Sequence, residues 1–277
     1  MKKILLSVAM MMASFTLHAT DANYHVVPLP QSITAEKGAA FVLDANTIVK
    51  VMSNDEAMRR NGEFLKQYIQ EKTGIAINEM NKKGNTITLK INTKIENEEG
   101  YVITVKEKNV TIEGKTPRGV FYGVQTLRKS LPLEKASSVT LPATRIVDYP
   151  RFGYRGTMLD CARHYFKMSF IKEFIDMLAL HNVNTFHWHL TEDQGWRPQI
   201  DRYPKLTEVG SKRAQTVIGR MTGLYDETPY GGYYTKDEMR EVVKYAAERY
   251  ITVIPEIDMP GHMLGALAAY PELGCTG

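Results

Sequence analysis

The chain has 277 residues, of which 43% are hydrophobic and 24% charged; this is the composition of a globular protein with enough apolar material for a sizeable core. The formal net charge of +4 is spread along the sequence without basic blocks. Charge therefore gives no support to a nucleic-acid or anionic-membrane partner. The length predicts one or two domains.

The first segment reads as a targeting sequence. Lys2 and Lys3 precede an apolar run at 4–15, and small residues follow up to Ala19. That run is too short to span a bilayer, so we expect a secretory signal peptide at 1–19, with no membrane anchor. Export to the periplasm or the extracellular medium is the expected destination. An exported protein could pair its two cysteines, Cys161 and Cys275, but sequence alone leaves this open.

Residues 24–148 predict a companion domain of α+β type. A helix is expected to start at the polar residues 53–56 and to stop near Gly74, and a second helix is expected at 118–131. Strands are expected at 41–43, 47–52, 86–91, 101–105 and 110–112. Strands pooled with two helices predict one sheet with helices on a face. We find no chemistry-bearing cluster in this domain, so its expected role is support.

Strands and helices alternate in residues 149–277. Strands are expected at 155–159, 183–190 and 251–256, and helices at 169–180 and after a capping box at Thr235. This order predicts parallel strands with helical crossovers. The fold class is therefore α/β: an α+β domain followed by about three β-α units of a (β/α)8 TIM barrel. The long segment 191–234 between two of these elements is typical of a functional or disordered loop.

Polar side chains follow each of the three predicted barrel strands. The residues concerned are Asp160, Arg163 and His164, then His187, His189, Glu192 and Asp193, and finally Glu256, Asp258 and His262. Carboxyl ends of barrel strands form one mouth, so these groups should converge there.

Two alternatives to a metal-free enzyme site rest on the second predicted barrel strand and the long loop that follows it. His187 and His189 alternate on one strand beside acids, and imidazole and carboxylate are standard zinc ligands. A metal-dependent barrel hydrolase is therefore a rival interpretation, although few further histidines are available to complete such a site. A non-catalytic carbohydrate-binding protein is another, because Trp188, Trp196 and the tyrosines of the long loop could stack on sugar rings.

Three motifs resemble those of the β-N-acetylhexosaminidases of glycoside hydrolase family 20. They are GTMLDCARHYF at 156–166, HWHLTEDQGWR at 187–197 and PEIDMPGH at 255–262. The segments VPLP at 27–30 and FYGVQTL at 121–127 are similar to that family's non-catalytic companion domain. The resemblance covers nearly all of the chain after the predicted signal peptide.

The resemblance implies removal of terminal N-acetylglucosamine or N-acetylgalactosamine from a glycan or glycoconjugate, with retention of configuration and no cofactor. The substrate's own acetamido oxygen would attack the anomeric carbon. It implies catalytic roles for Glu192 and His262, which would support the glutamic acid that protonates the leaving oxygen. It implies substrate-binding roles for Arg163, Asp193 and Asp258. Glu192 departs from the family pattern, which usually has aspartate there.

The resemblance also places a catalytic Asp-Glu pair on a fourth barrel strand, for which no matching residues occur up to Gly277. A complete barrel needs about 250 residues. We therefore expect this sequence to be an N-terminal portion that is inactive by itself and prone to aggregate through its unpaired third strand.

Overall fold

The computed structural model describes residues 20–78, 80, 83–219 and 222–275. The predicted signal peptide lies outside the described residues. No helix within the described part of the chain combines the length and the apolar character needed to cross a membrane.

Within its described residues, the companion domain contains nine strands and two helices, counting a short strand just before residue 24. In chain order they are β1 (Thr20–Asp21), β2 (Ser32–Ala35), β3 (Phe41–Asp44), β4 (Ile48–Val51), α1 (Glu56–Thr73), β5 (Thr86–Ile91), β6 (Tyr101–Lys106), β7 (Asn109–Gly114), α2 (Pro117–Ser130), β8 (Ser138–Leu141) and β9 (Thr144–Asp148). The strands β1, β2, β8 and β9 were not predicted from the sequence.

Six of these strands form one mixed sheet in the order β2-β9-β6-β7-β5-β4. The strands β4, β5 and β7 run parallel, and the remaining pairs are antiparallel. Along β7, buried residues alternate with partly buried ones, as expected of a pleated strand with one face on the core. A separate three-stranded sheet has the order β1-β8-β3. The prediction of a sheet supported by helices is confirmed, although the domain has two sheets.

Local signals set the ends of both helices. Asp55 caps α1 by accepting a hydrogen bond from the Met58 amide at 3.0 Å, and the helix ends at Gly74, whose φ of 79° few other residues adopt. Pro117 stands in the first turn of α2, where a missing amide proton costs nothing.

The barrel portion, residues 149–275, is built around three parallel strands with helical crossovers. Its main elements are β10 (Gly156–Asp160), α3 (Met168–Leu180), β11 (Thr185–His189), α5 (Lys236–Ala247) and β16 (Thr252–Glu256). The sheet order is β10-β11-β16, and both pairings are parallel. The predicted parallel βαβαβ arrangement is thus confirmed, as is the capping box of Thr235 and Glu238 at the start of α5.

The long segment between β11 and α5 carries short elements of its own. They are β12 (Thr191–Glu192), β13 (Gly195–Trp196), α4 (Lys205–Glu208), β14 (Lys212–Arg213) and β15 (Tyr230–Gly231). Helix α6 (Leu264–Ala269) and a 3-10 turn (Pro271–Leu273) follow β16. The described part of the long segment is therefore structured, which removes the disordered alternative for it.

The companion domain packs against the barrel portion at the amino-terminal ends of the strands. Arg155, one residue before β10, donates from Nη1 to Glu99 Oε2 at 2.8 Å and from Nη2 to the Tyr122 hydroxyl at 3.0 Å. The ring of Tyr250, just before β16, lies 5.1 Å from that of Phe121 on α2. This contact leaves the carboxyl ends of the strands free.

Candidate active site at the carboxyl ends of the parallel strands

Strand register aligns three polar residues at the same level of the parallel sheet. Asp160, the last residue of β10, pairs in register with His189 of β11, which in turn pairs with Glu256 of β16. Side chains at one level of neighbouring parallel strands point the same way. The convergence predicted from the sequence is therefore present.

Glu256 joins the two histidines of β11. Its Oε2 lies 2.5 Å from His187 Nε2 and 2.8 Å from His189 Nδ1. Burial raises the pKa of Glu256, but the hydrogen bond and charge of His189, with further hydrogen bonds from Asp258 and His187, outweigh it, so the pKa lies below its ordinary value. His189 is buried, whereas His187 is partly exposed. Both imidazoles are therefore engaged by one carboxylate.

Arg163 is anchored to the end of β10 by Asp160. Its Nη1 donates to Asp160 Oδ2 at 2.6 Å, and its backbone amide donates to Asp160 Oδ1 at 3.0 Å. Burial raises the pKa of Asp160, yet hydrogen bonds from Arg163 and from the Ala162 amide outweigh it and hold that pKa below its usual range. The same contact raises the pKa of Arg163. Both groups are therefore held in their charged forms.

Glu192 lies between Arg163 and His262 and is fully buried. Its Oε1 forms an ion pair with Arg163 Nη2 and lies 2.7 Å from His262 Nδ1. Its Oε2 accepts the Asp193 amide at 2.6 Å. Burying an unpaired carboxylate would be costly, and these partners offset that cost. The side chains of Arg163 and His262 are both 49% exposed. We call the three residues the Arg163–Glu192–His262 cluster.

Two local features hold this cluster. Strands β12 and β13 form a tight hairpin in which Glu192 pairs with Gly195. Helix α6 packs below it at Gly265, where a Cβ atom would lie 3.1 Å from the Trp196 nitrogen and 3.2 Å from the Glu192 carbonyl oxygen. His262 itself has a φ of 55°, in the left-handed region that non-glycine residues rarely adopt. Its backbone is strained where its side chain meets Glu192, as residues at functional sites often are.

Asp193 and Asp258 lie at the same mouth with different contacts. Asp193 Oδ1 accepts the amide of Leu264, the first residue of α6, at 3.2 Å. The amide of Asp258 donates to Thr191 Oγ1 at 2.8 Å, and its Oδ2 is 3.9 Å from His189 Nδ1. Asp193 thus helps to position α6, while Asp258 extends the Glu256 cluster. Their roles in substrate binding stay predictions.

The sequence did not predict a role for Arg197, whose side chain is completely buried. Its Nη1 donates to the carbonyls of Ser211 at 2.8 Å and Gly232 at 2.7 Å, and its Nη2 donates to Ala162 at 2.6 Å. Its Nε contacts the carbonyls of Cys161 and Ala162 at 3.1 and 3.2 Å. Burial lowers the pKa of this guanidinium. The available signal was an arginine directly after Gly195-Trp196, within the motif at 187–197.

The aromatic residues proposed for sugar stacking are unavailable on this strand and hairpin. Trp188 is 1% exposed and Trp196 is 7% exposed. Trp188 Nε1 contacts Cys161 Sγ at 3.2 Å, and Cys161 and Cys275 are both free. Burial raises the pKa of the Cys161 thiol to about 11. Because both tryptophans are buried, neither can stack on a sugar as the carbohydrate-binding alternative requires. Cys161 is a small buried residue of the core.

Two groups of side chains could hold a metal ion among the described residues. One is His189, Glu256 and Asp258, and the other is Glu192, Asp193 and His262. Both groups are already linked internally by the short contacts given above.

Charged clusters at the carboxyl ends of parallel strands with helical crossovers are the arrangement of (β/α)8 barrel enzymes. The family model described as glycosyl hydrolase family 20, catalytic domain, matches residues 152–277. The model described as glycosyl hydrolase family 20, domain 2, matches residues 23–149. The chain belongs to glycoside hydrolase family 20, as its motifs indicated. This assignment does not favour the metal-dependent hydrolase.

Curated relatives agree with the family assignment. The chain is 41% identical over 265 residues to a beta-hexosaminidase of Porphyromonas gingivalis, covering 92% of this chain and 33% of that protein. It is 38% identical over 257 residues to a beta-hexosaminidase of Vibrio furnissii, covering 92% of this chain and 41% of the relative. The chain therefore spans well under half of the length of these two relatives.

Solved structures share the fold. An exo beta-N-acetylglucosaminidase of Vibrio harveyi, in complex with N-acetylglucosamine, has a TM-score of 0.78 at 33% identity and covers 93% of this chain and 40% of its own. An N-acetyl-beta-hexosaminidase of Streptomyces plicatus has a TM-score of 0.77 at 35% identity, covering 91% of this chain and 49% of its own.

Proposed function

We propose that the protein containing this chain is an exo-acting β-N-acetylhexosaminidase, which removes terminal N-acetylglucosamine or N-acetylgalactosamine from glycans or glycoconjugates. The observation that carries the proposal is the buried Glu192 held between Arg163 and His262 at the carboxyl ends of the parallel strands. The family assignment and the activities of the relatives support the choice of substrate.

The proposed reaction retains the configuration of the sugar by substrate assistance. The acetamido oxygen attacks the anomeric carbon while a carboxylic acid protonates the departing glycosidic oxygen, which leaves an oxazolinium ion. Water then adds to the anomeric carbon, gives its proton to the same carboxylate, and restores the acetamido group. No cofactor takes part. The acid would come from the remainder of the catalytic domain.

Each residue of the cluster receives a role that its surroundings permit. The Arg163 guanidinium is fixed by two carboxylates while about half of its side chain stays open to solvent, so it can bind sugar hydroxyls without losing its position. His262 is equally open and is fixed by the buried Glu192. We assign to Glu192 and His262 the support of the catalytic carboxylic acid and the tuning of the pKa of that acid. Asp193 and Asp258 would orient the substrate.

The location of this activity is part of the proposal. A secretory signal at 1–19 would export the enzyme to the periplasm or the extracellular medium, where glycans are available as substrates. Appearance of the mature protein outside the cytoplasm, with its amino terminus near Thr20, would support this. Full-length protein retained inside the cell would contradict it.

Activity would be tested with this chain continued through the rest of the catalytic domain, which we call the complete enzyme, on a chromogenic N-acetylglucosaminide. We expect Arg163→Ala and His262→Ala each to lower kcat/KM by about 10²- to 10³-fold, the usual effect of removing one preorganised donor. Arg163→Lys should recover only part of the loss, because one ammonium cannot join two carboxylates as a guanidinium does.

The matched control is Arg240→Ala, since Arg240 is an exposed arginine whose ion pair is with Asp237 on α5, away from the mouth. It should leave kcat/KM within about twofold of the parent value. Near-normal turnover by both Arg163→Ala and His262→Ala would refute the assigned roles, and an absence of turnover by the complete enzyme would refute the proposed activity.

A further inference from the structure

Three side chains at the mouth of the barrel portion, those of Glu192, Asp193 and His262, could each offer one ligand atom to a single metal ion. These ligand atoms all lie within 4.8 Å of one another. Glu192 and Asp193 stand at the β12–β13 hairpin, and His262 follows β16. A set of one imidazole nitrogen and two carboxylate oxygens suits zinc and related transition metals, whereas Mg²⁺ and Ca²⁺ prefer oxygen alone. We call the three residues the ligand triad.

The spacing of the ligand triad suits a tetrahedral ion. Zinc bonds of about 2.0–2.2 Å to imidazole nitrogen and carboxylate oxygen put the ligand atoms of a tetrahedral site about 3.3 Å apart. The distance of 2.7 Å between His262 Nδ1 and Glu192 Oε1 is shorter than this, and the 4.8 Å limit for the whole triad is longer. Small side-chain rotations therefore bring the three atoms to zinc-binding distances. A fourth position stays open, as in zinc sites with three protein ligands.

A buried oxygen of Glu192 points independently to a ligand. The Glu192 side chain is fully buried, and no donor of the described residues meets its Oε1 in hydrogen-bonding geometry, although Arg163 and His262 lie close to it. Buried polar atoms without a hydrogen bond are uncommon, and a bound cation would satisfy this one. Asp193 and His262 are exposed, so an ion can enter the ligand triad from solvent.

The second group that could hold a metal ion, formed by His189, Glu256 and Asp258, is less available. Glu256 Oε2 already contacts His187 at 2.5 Å and His189 at 2.8 Å, and His189 is buried. An ion at this position would have to separate contacts that join two neighbouring strands, and none of the three ligands is exposed. The ligand triad has two exposed members and lies in loops, so it is the better cation site.

Arg163 competes with a metal ion for Glu192. Its Nη2 pairs with Glu192 Oε1, the same oxygen that the ion would bind. Because a divalent cation and a guanidinium repel each other at such short distances, the ion binds only when Arg163 moves away from Glu192. Arg163 keeps its other partner, Asp160, so this movement leaves no unpaired guanidinium. Metal binding and the contact of Arg163 with Glu192 therefore exclude each other.

We propose that the ligand triad is an inhibitory site for Zn²⁺ or a related transition metal ion. The ion binds Glu192 and His262, to which the proposed function assigns the support of the acid, and it displaces Arg163, which binds the sugar. Two carboxylates and a neutral imidazole balance the charge of the ion, and the proton that His262 Nδ1 gives up passes to solvent. The metal takes no part in hydrolysis. The inhibition rests on the proposed function, whereas the binding does not.

Calorimetry with zinc chloride on the complete enzyme tests the binding. Asp193→Asn should weaken zinc binding by at least about tenfold, the effect of losing even a group that only supports a ligand. The variant keeps an oxygen that can accept the Leu264 amide, so α6 stays in place. Asp258→Asn makes the same change in the other group and should keep the parent affinity. The reverse order would place the ion at Glu256 and overturn the inference, as would an absence of saturable zinc binding.

The decisive variant for competition is Arg163→Ala. Because it removes the cation that occupies Glu192 Oε1, it should tighten zinc binding by about tenfold or more. Arg240→Ala removes the same charge away from the mouth and should leave zinc binding unchanged. Equal or weaker zinc binding by Arg163→Ala than by the parent enzyme would contradict the inference.

Inhibition is measured with the chromogenic N-acetylglucosaminide. Zinc at concentrations that fill the site should lower kcat/KM of the complete enzyme by at least about tenfold, and a chelator should restore it. Asp193→Asn should need at least about tenfold more zinc for the same fractional loss, whereas calcium should have no effect on the parent. Zinc that binds the ligand triad and leaves turnover unchanged would overturn the inhibition. An absence of turnover without zinc would overturn the proposed function, and calorimetry would still decide the metal site.

Discussion

The companion domain and the barrel portion are stabilised in different ways. In the companion domain, β6 and β7 bury every second residue on the face that α2 covers, and Leu89 and Ile112 are fully buried. In the barrel portion, Ile254 of β16 is 46% exposed and Met158 of β10 is 50% exposed. Helices α3 and α5 cover one face of the three-stranded sheet, and the other face is open.

The barrel portion buries apolar residues such as Ile175, Phe186 and Val242 on its helix side, whereas its mouth is ordered by polar contacts. Arg197 joins the end of β10 to the loops before β14 and after β15, and Glu256 joins both histidines of β11 to β16. Hydrophobic burial therefore stabilises the companion domain, whereas directed polar contacts order the mouth of the barrel portion. Such contacts depend on geometry and lose most of their value when one partner is removed.

The strongest test of this comparison is Arg197→Met. The substitution keeps a long apolar stem but leaves four carbonyls at the mouth without their donor, so we expect a loss of about 5 kcal/mol in the free energy of unfolding of the barrel portion. Denaturant titration measures the loss, and hydrogen exchange should rise in residues 191–234. Arg202→Met, at an exposed arginine nearby, is the control. A loss below about 1 kcal/mol would show that Arg197 does not hold the mouth together.

A smaller effect on stability distinguishes the six-stranded sheet of the companion domain from the three-stranded sheet of the barrel portion. Leu89→Ala in β5 should lower the free energy of unfolding by about 3 kcal/mol, because it leaves a cavity in a closed core. Ile254→Ala in β16 removes a similar volume from a half-exposed position and should cost under about 1 kcal/mol. Chemical denaturation of both variants checks the pair. Equal losses would mean that the barrel sheet is as well buried as the companion sheet, and the comparison would fail.

The smallest expected effect concerns Lys129 on α2, whose Nζ is buried without a hydrogen-bond partner among the described residues. Burial lowers the pKa of Lys129 to about 8, an effect that Asp148 opposes and Arg128 adds to. The unfolded chain, with an ordinary lysine pKa of about 10.4, binds more protons than the folded chain between these values. Stability contributed at this site therefore rises with pH through that window.

Lys129→Met should remove this pH dependence. Between about pH 7.5 and pH 9.5, the free energy of unfolding of the parent should rise relative to Lys129→Met by about 1–2 kcal/mol. Lys37→Met, at an exposed lysine, should show no such change relative to the parent. A constant difference between the parent and Lys129→Met across this range would contradict a buried charged lysine in the companion core.

The sequence predicted elements with strong local signals. The helix after Asp55, the strand at 86–91 and the capping box at Thr235 all have periodicity or capping residues that act within a few positions. It did not predict β2, β8 and β9, which are four or five residues long and depend on partners far along the chain. Short strands of this kind are defined by pairing and not by their own composition.

For the candidate site, the sequence by itself determined the family and the polar residues at three strand ends, because motifs and strand ends are written in local residue order. Only the tertiary structure decided which of these residues meet. In the folded chain, Glu192 contacts Arg163 and His262, and Glu256 contacts both histidines of β11. Arg197 donates hydrogen bonds to four carbonyls. Those contacts link residues up to 70 positions apart. Strand register and loop packing, which no local pattern encodes, bring such residues within hydrogen-bonding distance.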